Sequence, residues 1–166
     1  MAYVSVNFFL KIILLIVFLP LIVLIISIKK FILVRFGEIE TRAVGHYGLP
    51  IEIYLSELEQ GYHKTTTPTY DIWIRNKNVA NKLILKKWKE YLNIYPPVFK
   101  VIWIFFRNFE FGKEFLIPYR HWRDYSEKWP NVGHQMRDIN NVLSKTKCHF
   151  KFSKDEKLSS ENFLKK

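Results

Sequence analysis

The sequence predicts an α/β fold in which one N-terminal transmembrane helix precedes a single lobe with a parallel β-sheet. Two observations lead to this prediction. From Phe8 to Ile28 the chain is apolar apart from Lys11, Pro20 and Ser27. After residue 30, two segments typical of buried strands are each followed by a segment with the apolar spacing of a helix. Strands that alternate with helices favour an open parallel sheet covered by those helices.

The apolar segment is long enough for a membrane-spanning helix, which needs about 20 residues. It ends in Ile-Ile-Ser-Ile-Lys-Lys and has no small-residue cleavage site, which favours a retained anchor over a cleaved signal peptide. A core helix is rarely apolar on all sides over such a length. Basic residues are sparse before the segment and follow it at Lys29, Lys30 and Arg35, so the positive-inside rule predicts that the rest of the chain is cytoplasmic.

The first strand–helix pair begins directly after the anchor. The continuous apolar run 31–34 is typical of a strand buried on both faces. A loop with Gly45 and Gly48 follows it. Pro50 suits the first position of the next helix, and Gly61 is expected to end that helix.

The second pair consists of a strand at 71–74 and an amphipathic helix within 80–92, which Pro96-Pro97 ends. The apolar run 101–106 is compatible with a third strand, a buried helical turn or a membrane-contacting patch, and we favour the strand. Residues from Asp155 to Lys166 have the charge distribution of a helix, with acids first and lysines last.

The charge balance predicts anionic partners. Lys and Arg total 26 against 15 Asp and Glu, a net charge of +11, which suits lipid headgroups, phosphorylated small molecules or nucleic acid. Beside a membrane anchor, the basic and aromatic stretch 107–129 suits anionic membrane lipid better than nucleic acid, so we expect no nucleic-acid partner. Cys148 is the single cysteine, which excludes an internal disulfide. His121 and His134 lack the spacing of a metal site, and we expect no metal and no cofactor.

The loop from Arg42 to Glu52 contains the main candidates for catalytic and binding residues. A glycine-containing loop between a buried strand and a helix brings backbone N–H groups and the positive end of a helix dipole to the carboxyl edge of the sheet, where an anion can bind. His46 in this loop could act as a general base or hydrogen-bond a phosphate or hydroxyl. The spacing alone leaves two alternatives open. His46 could be an exposed histidine without a role, and Glu52 could only compensate the helix dipole.

A resemblance favours the functional interpretation. The residues Arg35-Phe36-Gly37, then Arg42 and Gly45-His46, then Glu52-Ile53-Tyr54-Leu55, resemble the opening of a family of bacterial glycosyltransferases found with surface-polysaccharide genes, whose pattern runs roughly R-F-G, R-I-G-H, then E-L-Y-L. Segments 71–74, 81–88 and 137–140 resemble later parts of the family, so the similarity covers about residues 31–166. The chain departs from the pattern at Ala43-Val44, where the family usually has one apolar residue.

The resemblance implies a GT-B-like enzyme of two Rossmann-like lobes, which moves a sugar from a nucleotide donor to an acceptor at the cytoplasmic face of the bacterial inner membrane. Residues 1–30 would be the anchor, 31–140 the acceptor-side lobe, and 141–166 a basic linker and helix leading towards the second lobe. Gly45 and His46 would line the cleft between the lobes. His46 would be the catalytic base, and Arg42, Gly45 and Glu52 would bind substrate.

The same resemblance implies a sugar or lipid-linked acceptor as a partner, and a nucleotide sugar only together with a second lobe. The sequence ends before the first strand of that lobe, so we expect the chain to be truncated, or the second lobe to be a separate chain. We expect this chain to be inactive alone, because such enzymes close two lobes around a desolvated cleft. The alternative is a non-catalytic, membrane-anchored binding or assembly protein that recruits a polysaccharide enzyme.

Overall fold

The computed structural model describes residues 2–118, 138–156 and 158; His121, Trp122, Trp129 and His134 lie outside these residues. Strands and helices alternate after a long first helix. The elements are α1 (Ala2–Ile28), β1 (Leu33–Ile39), α2 (Val44–Glu59), β2 (Thr69–Arg75), α3 (Lys82–Trp88), β3 (Asn93–Tyr95) and α4 (Lys100–Arg107), with 3₁₀ turns at Pro97–Phe99 and Glu110–Phe115.

The three strands form a parallel sheet in the order β1-β2-β3, so the predicted α/β class is confirmed. A short segment after α4 extends the sheet on the free side of β1. Leu116 pairs with Phe36 in a parallel bridge, and the N–H of Ile117 donates to the carbonyl of Phe36 at 3.0 Å. The order across the sheet is therefore β3, β2, β1 and then residues 115–117.

Helices cover both faces of this sheet. On one face, α2 and α3 pack over Ile39 and Trp73, and Trp88 of α3 is only 1% exposed. On the other face, α1 and α4 pack over Phe36 and Ile74. Successive strand residues point to opposite faces, and this alternation separates the two apolar clusters.

The helix α2 begins earlier than the sequence predicts. It starts at Val44, so Gly45 and His46 lie in its first turn, and Pro50 lies inside it and not at its start. Pro50 removes one helical hydrogen bond, but the early turn buries the ring of Tyr47 completely, which offsets that cost. The helix ends as predicted before Gly61, whose φ of 81° is accessible to glycine.

The third strand is also not where we expected it. The apolar run 101–106 forms α4, and β3 lies earlier, at Asn93–Tyr95. Pro96 and Pro97 restrict the backbone after β3. Ile102, Trp103 and Phe106 then lie on one side of a helix and are all buried, whereas in a strand Trp103 would point to the opposite face from the other two.

The C-terminal half of α1 belongs to the core of the lobe. Ile22 and Ile25 are 1% and 5% exposed and pack with α4 and β1, whereas Ile16 and Val17 on the opposite side of the helix are 64% and 65% exposed. The boundary predicted at residue 30 therefore does not coincide with a break in packing. Within the part of the chain that the structure describes, no helix has both the length and the apolarity that crossing a bilayer requires.

Part of the segment predicted as a linker packs on the lobe. Val142 is fully buried, and the ring of Phe150 lies against that of Trp88 with centroids 5.4 Å apart. Ser153 then caps a helical turn: its hydroxyl accepts from the N–H of Glu156, whose carboxylate accepts from the N–H of Ser153. The rest of the predicted C-terminal helix, residues 157 and 159–166, lies outside the described residues.

Candidate functional site at the carboxyl edge

The candidate site lies where the parallel strands end, after Ile39, Arg75 and Tyr95, and we call this side of the sheet the carboxyl edge. The strand order reverses beside β1, because β2 and β3 extend the sheet on one side of it and residues 115–117 on the other. In open α/β sheets, the crevice outside the carboxyl ends at such a reversal is the usual position for a ligand. The loop that leaves β1 lies at this position.

Two buried carboxylates stand at the end of β1. Glu38 and Glu40 are each only 3% exposed. Glu38 pairs with Lys100 at the start of α4. Glu40 accepts from Arg42 Nε and Nη2 at 2.7 and 2.6 Å, and from Asn76 Nδ2 at 2.7 Å. Buried carboxylates need such partners, and these contacts join the ends of β1 and β2 and the start of α4.

Arg42 presents positive charge at this edge. Two of its guanidinium nitrogens are held by Glu40, yet its side chain is 44% exposed. The hydrogen bonds to Glu40 raise the pKa of Arg42 above its ordinary value, so the guanidinium stays charged at any physiological pH. The arrangement fixes the orientation of a cation that also reaches solvent.

Gly45 and His46 lie in the first turn of α2, at the positive end of its dipole. His46 is half-buried. A Cβ added at Gly45 or Gly48 would meet no atom within 4 Å. A glycine inside a helix lowers helix stability by about 1 kcal/mol relative to alanine, and packing does not require a glycine at these two positions. The absence of side chains leaves the backbone of this turn open, so another group can approach it closely.

Two loops at the carboxyl edge are pinned together. The hydroxyl of Tyr47 donates to the carbonyl of Asn81 at 2.7 Å and accepts from its N–H at 3.1 Å. Thr41 Oγ1 donates to the carbonyl of Asn78 at 2.8 Å, and the N–H of Ala80 donates to the carbonyl of Thr41 at 2.8 Å. Burial raises the pKa of Tyr47, which keeps its hydroxyl a neutral donor. The start of α2, and with it His46, is therefore firmly positioned.

Glu52 has a different environment from the other predicted site residues. It lies further along α2, and its carboxylate accepts from the N–H groups of His149 and Phe150 at 2.7 and 3.2 Å. The imidazole of His149 also contacts Glu52, through Nδ1 at 2.9 Å, and reaches Glu59 through Nε2 at 3.0 Å. These contacts attach residues 149–150 to α2.

The structure brings three of the predicted site residues, Arg42, Gly45 and His46, to one edge, while Glu52 makes a separate contact with residues 149–150. Glu38 and Glu40 are not among the predicted site residues. The sequence does contain a signal for these two acids. In Phe36-Gly37-Glu38-Ile39-Glu40, Glu38 and Glu40 alternate with Gly37 and Ile39, so both acids lie on the same face of the strand.

Comparisons with protein-family models, curated proteins and solved structures give no match to this chain. The resemblance to glycosyltransferases therefore stays an expectation from the sequence. Among the described residues, no group of three or more His, Cys, Asp or Glu side chains is arranged to hold a metal ion. What the edge offers chemically is a fixed guanidinium, a helix N-terminus and an imidazole, which together suit an anionic or hydroxyl-bearing ligand and a proton transfer.

Proposed function

We propose that the chain is the membrane-anchored, acceptor-side lobe of a two-lobed glycosyltransferase that makes surface polysaccharide at the bacterial inner membrane. The observation on which this rests most is the reversal of strand order beside β1, with Arg42, Gly45 and His46 in the segment that follows β1 at the carboxyl edge. The sugar-transfer chemistry comes from the resemblance of the same residues to the family. The two lines of argument are independent of each other and point to the same turn.

In this proposal His46 is the catalytic base. It removes the proton from an acceptor hydroxyl as that oxygen attacks the anomeric carbon of the donor sugar, and the nucleotide leaves with the electron pair of the broken bond. Arg42 binds an anionic group of the substrate. Gly45 lets substrate approach the backbone. Glu52 holds residues 149–150 and so supports the lobe, and we no longer assign it a direct contact with substrate.

The donor requires a second lobe, whether in the same chain or another. A nucleotide sugar bound there faces the crevice when the lobes close and exclude water. We propose no metal, no organic cofactor and no nucleic acid as partners. The partners are the lipid membrane, a sugar or lipid-linked acceptor, and the lobe that brings the nucleotide sugar.

Membrane anchoring by α1 is part of the proposal. Its support is the apolar segment Phe8–Ile28 and the exposed apolar side of α1, including Ile16, Val17 and Val23, which water would not favour. The hydroxyl of Ser27 donates to the carbonyl of Val23 at 2.8 Å, so this polar group is satisfied within the helix. We also propose that the lobe is cytoplasmic, because basic residues are sparse in the sequence before the apolar segment.

Substitution of His46 tests the catalytic assignment. In a form of the enzyme that contains both lobes, His46→Ala should lower the rate of sugar transfer by about 100-fold or more, since general-base catalysis contributes on that scale. The matched control is His63→Ala, which removes a histidine that pairs with Glu57 at the far end of α2 and should leave the rate within about twofold. An unchanged rate in His46→Ala would remove His46 from the role of base.

The alternative is a binding or assembly protein without chemistry of its own. Its support is the set of exposed cations at the carboxyl edge, Arg42, Lys77 and Lys82, which can bind an anionic partner without any reaction. The two functions differ in what a second lobe does. If the DNA next to this reading frame encodes a nucleotide-binding lobe, and the two together transfer sugar, the enzyme is supported; recruitment of a complete transferase by this chain would support the alternative.

A further inference from the structure

We propose that the carboxyl edge faces the membrane into which α1 inserts, so that the candidate site takes an acceptor presented at an anionic bilayer surface. This inference rests on the proposed function, and it adds the orientation of the site and the physical state of the acceptor. The direction in which α1 crosses the sheet decides which edge of the lobe faces the membrane.

The C-terminal end of α1 lies at the opposite side of the sheet, where the strands begin. The chain turns there from Ile28 into β1, and the N–H of Leu33 donates to the carbonyl of Pro68, directly before β2, at 2.8 Å. Lys29 pairs with Glu114 at 2.6 Å, in the turn that precedes residues 115–117. We call this side the amino edge.

An earlier part of α1 lies at the carboxyl edge. The ring of Phe18 packs against that of Phe99 with centroids 5.6 Å apart, and Phe99 packs against Tyr95, the last residue of β3, at 5.4 Å. From Phe18 to Ile28, α1 therefore runs from the carboxyl edge to the amino edge. At 1.5 Å per residue this is a distance of about 15 Å, compatible with the length of the strands beneath it.

Leu15 still packs against the core of the lobe, so the residues of α1 before Leu15 extend beyond the carboxyl edge. The helix begins at Ala2, so this part is about 20 Å long. Ile13 in this part is 56% exposed, and in the sequence Phe8, Phe9 and Leu10 precede it. If this projecting apolar end of α1 inserts into the membrane, the membrane lies on the side of the carboxyl edge.

The charges of the carboxyl edge fit an anionic surface. Lys77, Lys82 and Arg42 are exposed there. The acids of this edge, Glu38 and Glu40, are buried and held in ion pairs with Lys100 and Arg42. The edge therefore presents cations outward, and lysine and arginine near a bilayer are attracted to anionic lipid headgroups. A soluble acceptor would need no such orientation.

Fluorescence quenching by lipid measures this orientation. In the full chain with Cys148→Ser, a single cysteine is introduced as Lys77→Cys at the carboxyl edge or, as the matched control, Lys64→Cys at the amino edge; both lysines are exposed. Each variant is labelled with an environment-sensitive fluorophore and reconstituted into vesicles of phosphatidylcholine and phosphatidylglycerol that contain nitroxide-labelled headgroups. We expect quenching at position 77 to exceed that at position 64 by about twofold or more, because headgroup contact is short-ranged.

Reversing the charge of lysines at the carboxyl edge distinguishes the attraction of this edge to anionic lipid from the insertion of α1. Lys77→Glu with Lys82→Glu should reduce quenching of a fluorophore at Asn78 about twofold in vesicles with phosphatidylglycerol and leave it unchanged in phosphatidylcholine alone. The same double reversal at Lys64 and Lys89, at the amino edge, should have no effect. Equal or stronger quenching at position 64 than at 77, in protein that floats with the vesicles, would overturn the orientation alone. Failure to float with vesicles would overturn the anchoring proposal as well, and neither result depends on sugar transfer.

Discussion

A buried polar group joins α2 to the sheet next to the apolar core. Arg35 is 3% exposed, and its Nε and Nη2 donate to the two carboxylate oxygens of Asp71 at 2.7 and 2.9 Å. The hydroxyl of Tyr54 also donates to Asp71. Arg35 belongs to the segment that resembles the family, and the structure gives it a supporting role inside the lobe: its charge is neutralised on the strand next to its own.

Tyr54 makes stability depend on pH. Burial, followed by the nearby Asp71 carboxylate, raises the pKa of Tyr54 well above its usual value of 10. Above about pH 10 the unfolded chain releases this proton and the folded chain keeps it, so the free energy of unfolding falls as pH rises. The contribution is fully present below pH 10.

Denaturant unfolding between about pH 8 and 11 checks this effect. Tyr54→Phe should be less stable at pH 8, since it loses the hydrogen bond to Asp71, and its stability should fall less steeply above pH 10 than that of the wild type. Tyr62→Phe, at a side chain that is 50% exposed, should follow the wild-type slope. Parallel curves for the wild type and Tyr54→Phe would contradict the assignment.

Replacement by alanine should have opposite effects on the free energy of unfolding at two glycines. A Cβ at Gly112 would lie 2.0 Å from the carbonyl oxygen of Phe106, so Gly112→Ala must displace backbone and should cost about 1–3 kcal/mol in the free energy of unfolding. Gly48 lies inside α2 with open space around it, so Gly48→Ala should stabilise the lobe by about 0.5–1 kcal/mol. Chemical denaturation of both variants measures the difference, and a neutral Gly112→Ala would show that the turn adapts.

At the scale of elements, α1 is a structural part of the lobe as well as the proposed anchor. Its buried residues Ile22 and Ile25 cover one face of the sheet together with α4. A chain that begins at residue 31 would expose Phe36, Ile102 and Phe106 to water. Burial of each such side chain is worth about 1.5–3 kcal/mol, which is a large fraction of the stability of a small lobe.

Truncation of the N-terminus tests whether the lobe needs α1 for its stability. A chain that lacks residues 1–30 should lose its near-ultraviolet circular dichroism and aggregate, whereas one that lacks only residues 1–14, measured in the same detergent, should keep the spectrum of the full chain. The second variant retains Phe18, Ile22 and Ile25 and serves as the control. A soluble, monomeric 31–166 fragment with the native spectrum would show that α1 is only a tether.

Much of the element pattern was predictable from the sequence, and the errors have physical causes. The alternation of strands and helices and the parallel sheet follow from apolar periodicity. Pro50 is typical of a helix start, but the burial of Tyr47 outweighs its cost inside α2. The short run 101–106 suits a strand or a helix equally by composition, and only its packing against α1 and β1 decides.

The candidate site was predictable in part for the same reason. Gly45 and His46 follow a recognisable strand, so their place at the carboxyl edge could be inferred. The partners of Glu38 and Glu40 could not, because Lys100 and Asn76 are distant in sequence and meet these acids only in the folded sheet. The segment 115–117 joins the sheet through a single bridge, too short for a pattern in sequence to indicate.

At the scale of the whole molecule, the lobe combines a reversal of strand order beside β1, an exposed cationic edge and an apolar helix that extends beyond the same edge. In the proposed function, this lobe supplies an acceptor site and a base, and a second lobe supplies the nucleotide sugar. This division of labour is the central claim. It connects the positions of Arg42 and His46 with the orientation of α1.

The most direct test is release of free nucleotide from nucleotide sugars by the purified 166-residue chain in lipid vesicles, alone and together with a candidate second lobe. The account predicts no release by the chain alone, and release with both lobes that His46→Ala abolishes. Steady release by the chain alone would contradict the account, because a single lobe would then hold both the donor and the base.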